Sequence, residues 1–262
     1  MVSQPVQPKS QLTAVALAPV KESLPGRSRA VILVHGFRFG ANGKEIDAAE
    51  MQSWQKPGSR LVRALAAHAD VYSLSYAQDV AVAEVARSSR LRARVRGVRD
   101  RGYREVVLVG HSAGGLIVRQ LVEDYPALGV TRGVQVGTPN MGAPGAEMLP
   151  IEQRHQAFLL SLTRKARRAW LKERSGKSIP ADMEFVCVVG RTDRAGDLLI
   201  PCASQWPADL QAQRIPVVCR STVHIAQMSD RKCVQCLVEV IQQPAPRLST
   251  SEVAKMRRLL FR

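Results

Sequence analysis

Ser112 lies in Gly110-His111-Ser112-Ala113-Gly114, and candidate partners for a serine hydroxyl follow it in the chain. A serine hydroxyl is a weak nucleophile until a positioned base takes its proton, and the base needs a third group to orient it. Of the five histidines, only His155 and His224 come after Ser112. His224 stands just past the last expected strand, where a base following such a serine belongs, whereas His155 stands inside a helical stretch. Position therefore favours His224. The acid should sit beyond the preceding strand, where Asp193 and Asp197 are the candidates. Asp197 is favoured, because Gly196-Asp197-Leu198-Leu199-Ile200-Pro201 turns into an apolar run able to bury a carboxylate. Asp193, in a polar, arginine-flanked stretch, is the alternative acid, and Asp209 ranks third. Acyl transfer also needs donors for an oxyanion. The backbone N–H of Ala113 and that of Phe37, in His35-Gly36-Phe37, are the candidates.

These residues need a scaffold that delivers them to one place. Residues 106–109 are apolar and β-branched, a buried strand. Leu116, Ile117, Gln120 and Leu121 beyond the serine have helical spacing. Strand, glycine-bounded turn and helix form a context in which a serine is held strained at a strand tip. Further strands are expected at 29–34, 71–76, 133–136, 185–189 and 215–219, with an edge strand over 11–19. Helices are expected at 59–68 with Ser59 as cap, at 79–101, at 152–173 and at 225–242. Such alternation predicts an α/β fold, a mostly parallel sheet with helices on both faces. The predicted organisation is a loose arm over 1–27, one domain over 28–243, and a tail over 244–262. The alternation breaks at 144–180, the expected site of a helical lid insertion. The tail holds a Ser249-x-x-Glu252 capping box and a basic amphipathic helix, expected to dock on its own domain.

The chain has 262 residues, a net charge of +16 and 45% hydrophobic residues, enough for one large core. Such a field attracts anions, so the basic helices suit an anionic membrane surface as a partner. Only 5% of residues are aromatic and none interleaves with the arginines, which argues against specific nucleic-acid binding. No apolar run reaches the length of a membrane span. The Ala-x-Ala within residues 12–19 is short and weak for a secretion signal, and the five cysteines sit mostly among Val and Leu. Together these favour a cytoplasmic location. Cys233-x-x-Cys236 lacks a second pair at zinc spacing, so packing is its expected role and no metal site is placed.

Four stretches together resemble the α/β-hydrolases, in particular the bacterial lipases and esterases. They are Val31-Ile-Leu-Val-His-Gly-Phe37, Val109-Gly-His-Ser-Ala-Gly-Gly115, Val136-Gly-Thr-Pro-Asn-Met-Gly142, and Gly196-Asp-Leu-Leu-Ile-Pro201 with His224 beyond. Asn140 stands where those lipases often carry His. The resemblance implies hydrolysis of a small-molecule ester or lipid through an acyl-enzyme on Ser112, without an organic cofactor. An acyltransferase or thioesterase would use the same residues. A binding protein without turnover on the same scaffold is the reading from another class.

Overall fold

The computed structural model describes residues 11–20, 26–38, 47–147, 156–192 and 196–261. Asp193 and His155 lie outside the described residues. Seven strands form one sheet: β1 (Val15–Pro19), β2 (Arg29–Val34), β3 (Asp70–Tyr76), β4 (Glu105–His111), β5 (Arg132–Val136), β6 (Glu184–Arg191) and β7 (Val217–Ser221). Their order is β1-β3-β2-β4-β5-β6-β7. β1 runs antiparallel to β3, and all other neighbours are parallel. The chain leaves β2 towards β3 on one side and leaves β4 towards β5 on the other. This reversal opens a crevice at the strand tips, the usual place for a ligand in such sheets.

The helices are α1 (Arg60–Ala66), α2 (Val82–Arg87), α3 (Ser89–Arg99), α4 (Ala113–Asp124), α5 (Gln156–Leu160), α6 (Arg164–Glu173), α7 (Cys202–Gln205), α8 (Ala208–Ala212), α9 (Arg231–Gln242) and α10 (Thr250–Leu260). Both faces of the sheet are apolar, because alternate residues of a strand point opposite ways. Ile32, Val34 and Leu108 join a cluster with Val85, Leu91, Val95 and Leu116. Val31, Leu33, Val107 and Val109 join another with Leu61, Leu65, Val234 and Leu237. Thus α2, α3 and α4 cover one face and α1 and α9 the other.

Three expected helices are broken. The 79–101 stretch divides at Ser88, whose side chain caps α3 by accepting from the Leu91 N–H at 3.4 Å. The helix expected at 152–173 appears, within the described residues, as α5 and α6, and Thr163 caps α6 by accepting from Ala166 N–H. The closing helix starts only at Arg231, capped by Asp230, after a separate 3-10 turn at His224–Ala226. In each case a short polar side chain satisfies the orphan amides of a new helix start. The last strand lies two residues later than expected, and the short helices α7 and α8 have no counterpart in the expected pattern.

α6 is fastened to α4 by buried charge. Glu123 accepts from Arg119 Nε at 2.8 Å and Arg174 Nη2 at 2.7 Å, and Arg174 also reaches Asp124 at 2.6 Å. Arg119, Arg167 and Arg174 all stand over the ring of Trp170. α10 lays Val253, Met256 and Leu260 on the core, so its apolar face is used within the domain. The expected basic surface of α3 is partly consumed. Arg92 stacks on Tyr125, and Arg99 bonds the Tyr103 and Arg104 carbonyls. All five cysteines are unpaired, four of them buried.

Gly97 lies on the exposed side of α3, and a Cβ there would meet nothing within 4 Å. Gly97→Ala is expected to stabilise the fold by about 0.5–1 kcal/mol through helix propensity, read as a higher urea midpoint.

Candidate active site

The serine is held by close packing. Ser112 follows β4 and precedes α4 with φ 54° and ψ −127°, a positive-φ conformation rare for a residue with a side chain. Glycines make that turn feasible. A Cβ on Gly110 would fall 2.5 Å from the Gly114 backbone, and one on Gly114 would fall 2.4 Å from the Val34 and His35 carbonyl oxygens. Helix α4 therefore rests directly on the end of β2. Gly36 is equally tight, since its Cβ would lie 2.6 Å from that of Ser112 and 3.2 Å from the Ala113 nitrogen. Ser112 N–H donates to Val136 O at 2.8 Å, which ties the turn to β5.

Asp197 and His224 meet beside it. Asp197 is fully buried in the turn after β6, and its backbone carbonyl accepts from the His224 N–H at 2.9 Å. Its Oδ2 accepts from His224 Nδ1 at 2.7 Å and Gln227 Nε2 at 2.8 Å. Its Oδ1 accepts from the amides of Ile200 at 2.7 Å and Leu199 at 3.2 Å. Four donors converge on one side chain and occupy the acceptor sites of its carboxylate. The turn requires Leu198 at φ 78°. Gln205 braces it from below, donating to Gly190 O at 3.0 Å and Ile200 O at 2.8 Å and accepting from Gly190 N–H at 2.9 Å. With Nδ1 donating to Asp197, His224 keeps its proton there, which leaves Nε2 able to accept one.

Ser112 and His224 line a single pocket with Phe37, Leu159, Leu162 and Ile200, an apolar cavity of about 80 Å³. Four exposed large apolar residues are sequence neighbours of the site, and Leu199 among them lines the pocket. Leu198 and Leu199 follow Asp197, Ile225 follows His224, and Leu160 ends α5, with exposures of 60%, 42%, 75% and 44%. Phe37 stands in the loop after β2, stacked near Phe158. Ala113 opens α4, so its amide is one of the helix's first and has no partner within the helix.

Ser112, His224 and Phe37 are thus brought to one pocket, with Asp197 behind His224 and the Ala113 amide behind Ser112. Asp209 is elsewhere, paired with Arg119. Asn140 is fully buried away from the pocket. It bonds Gln135 and the Gln205 carbonyl, and its own carbonyl accepts from Arg167. Sequence reasoning overlooked Gln227, three residues past His224, and the bracing Gln205. A glutamine held at full burial is the signal, and burial is not visible in one sequence. Among the described residues, no group of three or more His, Cys, Asp or Glu side chains could hold a metal ion. Nor is any helix there long and apolar enough to cross a membrane.

His35 and His111 flank the site and are buried, and burial pulls their pKa values down to about 4 and about 3. The unfolded chain titrates its histidines near 6.5. Between these values the unfolded state binds more protons, so this stability is complete above pH ~6.5 and declines as pH falls towards ~4. At pH 5 the expected loss is about 2 kcal/mol per histidine. Urea midpoints at pH 7.5 and pH 5 measure it, and His111→Asn should remove part of the difference. Equal midpoints would contradict the buried neutral histidines.

Comparison with known proteins places this geometry in context. A model of the alpha/beta hydrolase family matches residues 31–257. The fold is similar to a lipase of Bacillus licheniformis in its mature form, with TM-score 0.64, 13% identity, and coverage of 87% of this chain and 99% of that one. It is also similar to a phospholipase of Legionella pneumophila, with TM-score 0.60, 13% identity, and coverage of 89% of this chain and 63% of that one. An esterase of Pyrococcus furiosus gives TM-score 0.53 and 15% identity over 83% of each chain. The curated proteins give no match. Since the family model runs from within β2 through β7 and α9, over most of the chain, the chain belongs to the α/β-hydrolase family.

Proposed function

We propose that the chain hydrolyses carboxylic esters through an acyl-enzyme. Ser112 is the nucleophile, His224 the general base, and Asp197 the group that orients it. One observation carries this reading: His224 donates Nδ1–H to a buried carboxylate held by three other donors, while sharing a pocket with a strained serine. In the reaction, Ser112 Oγ attacks the ester carbonyl carbon and its proton passes to His224 Nε2. The carbonyl oxygen becomes an oxyanion, received by the N–H groups of Phe37 and Ala113. Collapse breaks the bond to the alcohol oxygen, which takes the proton from His224. Water then repeats the sequence on the acyl-enzyme, freeing the acid and restoring Ser112.

The substrate class follows from the rim. The half-open pocket, at about 80 Å³, has room for the first methylenes of an acyl chain. A longer chain would lie along Leu160, Leu198, Leu199 and Ile225, apolar groups otherwise left in water. Arg164, Lys165, Arg168 and Lys172 of α6 are exposed one to three turns beyond Leu160. An ester with an apolar chain, presented at an anionic lipid surface, suits both features. The lipases, phospholipase and esterase of similar fold support the same class.

The test is turnover of p-nitrophenyl esters from acetate to palmitate. Ser112→Ala should abolish it, and Asp197→Asn should lower kcat by about 10³–10⁴-fold while Asp193→Asn changes it little. A folded wild-type chain that neither turns over these esters nor is labelled by a fluorophosphonate would instead be a binding protein on this scaffold. Labelling without ester turnover would shift the substrate to a thioester, an amide or an acyl acceptor other than water. Leu199→Asp separately tests the rim. Its kcat/KM for octanoate should fall about tenfold or more and that for acetate by a smaller factor, because Leu199 lines the pocket and is part-exposed, so a longer chain covers more of it.

A further inference from the structure

We infer that Gln78 is the positioning residue of the oxyanion loop, an inference that rests on the acyl-transfer reading above. Gly36 O and Phe37 N–H belong to one peptide group. The described residues contain no cis peptide, so that N–H points opposite to that carbonyl, and fixing one aims the other. Gly36 O is fixed with unusual thoroughness. It accepts from Gln78 Nε2 at 2.9 Å and from His35 Nδ1 at 2.8 Å, and Gln52 Nε2 stands at 3.5 Å. Gln78 does more than donate, because its Oε1 accepts the Arg38 N–H at 3.1 Å. One carboxamide thus grips the residue before Phe37 and the residue after it, with Phe37 held between. Gln52 adds a third point, donating to Phe37 O at 3.2 Å.

The chemistry selects glutamine. The grip needs a donor and an acceptor on one planar head, which a carboxylate, a hydroxyl or an apolar group does not supply in that geometry. The orientation of the amide is set by its partners: Arg38 offers an N–H, so Oε1 must face it, and Gly36 offers a carbonyl, so Nε2 must. His35 is fixed in the same way. Its Nε2 accepts the Tyr76 N–H at 3.2 Å, so its proton sits on Nδ1 and points at Gly36 O. The Tyr76 hydroxyl donates to His35 O at 2.6 Å, and the two rings stack at 4.2 Å. Gln78 is fully buried immediately past β3, so it carries the rigidity of the sheet to the loop. Gly36 lies against the Ser112 Cβ and the Ala113 nitrogen. The clamp therefore sets the Phe37 amide relative to the nucleophile and the second donor.

The experiment compares Gln78→Glu, Gln78→Asn and Gln52→Leu with wild type on p-nitrophenyl butyrate. It also measures inhibition by a trifluoromethyl ketone, which forms a tetrahedral oxyanion on serine, and by the corresponding methyl ketone, which binds as a ground state. Gln78→Glu keeps the shape and the acceptor for Arg38 but turns an acceptor on Gly36 O. It is expected to lower kcat by about 10–100-fold with KM within about threefold, and to weaken the trifluoromethyl ketone in parallel while sparing the methyl ketone. Gln78→Asn, one methylene short, should fall between wild type and Gln78→Glu. Gln52→Leu, at a half-buried position less able to disturb folding, should move the same readouts by a smaller factor. Unchanged kcat in folded Gln78 variants, or equal weakening of both ketones, overturns the clamp. If Gln78 variants fail to fold, Gln52→Leu decides, and a uniform loss or no loss there overturns it. A wild-type chain inert to both the ester and the trifluoromethyl ketone overturns the acyl-transfer reading, and the clamp's role with it.

Discussion

The site depends on a contact that admits no side chain. Gly114 at the start of α4 lies against the Val34 and His35 carbonyls, and Gly110 lies against Gly114. That approach fixes how far the helix descends onto the sheet, hence where the turn between them must bend. Ser112 is left at φ 54° because no relaxed backbone joins β4 to α4 at that separation. Neighbouring groups adapt to this spacing. β5 receives the serine amide through Val136 O, and Gly36 threads the remaining gap beside Ser112. A methyl group at any of these three glycines would displace the Ser112 turn, the Ala113 amide and the β2 loop together.

Around that contact the chain solves a repeated problem with the same side chain. At the tips of parallel strands the backbones diverge and leave carbonyls and amides unpaired. Gln55 reaches between β2 and β3 to cap Leu33 O and Leu74 O. Gln78 spans the loop after β2, Gln205 the turn after β6, and Gln227 reaches the Asp197 carboxylate. A buried carboxamide is neutral, so its burial costs less than that of a charge, and it offers both signs of hydrogen bond. The charged pairs lie farther back, where Arg119, Glu123 and Arg174 lock α6 to α4. Arg167 is buried within that cluster, and burial pushes its guanidinium down to about 9. α6, within the 144–180 stretch where a helical lid is expected, is thus fastened to the body of the domain.

Much of this was legible in the sequence, for identifiable reasons. The β-branched runs of β2, β4 and β6 are continuous because both faces of those strands are covered, and continuity survives in a single sequence. The glycines around Ser112 are legible because the need they meet is local. The edge strand β1, the caps Ser59 and Ser249, and the docking of α10 are local patterns as well. The breaks at Ser88 and Thr163 were hidden because both caps sit within amphipathic runs and lack the acidic residue three places on that marks a helix start. The glutamines were illegible for a different reason. Gln78 matters only because the end of β3 lies beside the loop after β2, and that proximity comes from sheet order. Asn140 is similar: its position suggested a departure in the site, yet its side chain serves the packing of α4, α7 and β5.

The strand order also bears on biosynthesis. Ser112, Gly36 and Gln78 lie on the first half of the chain, at the centre of the sheet, whereas Asp197 and His224 arrive with β6 and β7 at one edge. At roughly 5–20 residues per second, His224 leaves the ribosome on the order of 6–22 s after Ser112. The nascent chain therefore carries the serine turn and the clamped loop well before Asp197 and His224 are made. In the proposed reaction the hydroxyl has its acid–base pair only once the final parallel strand docks, so completion of the sheet would also be the event that arms it.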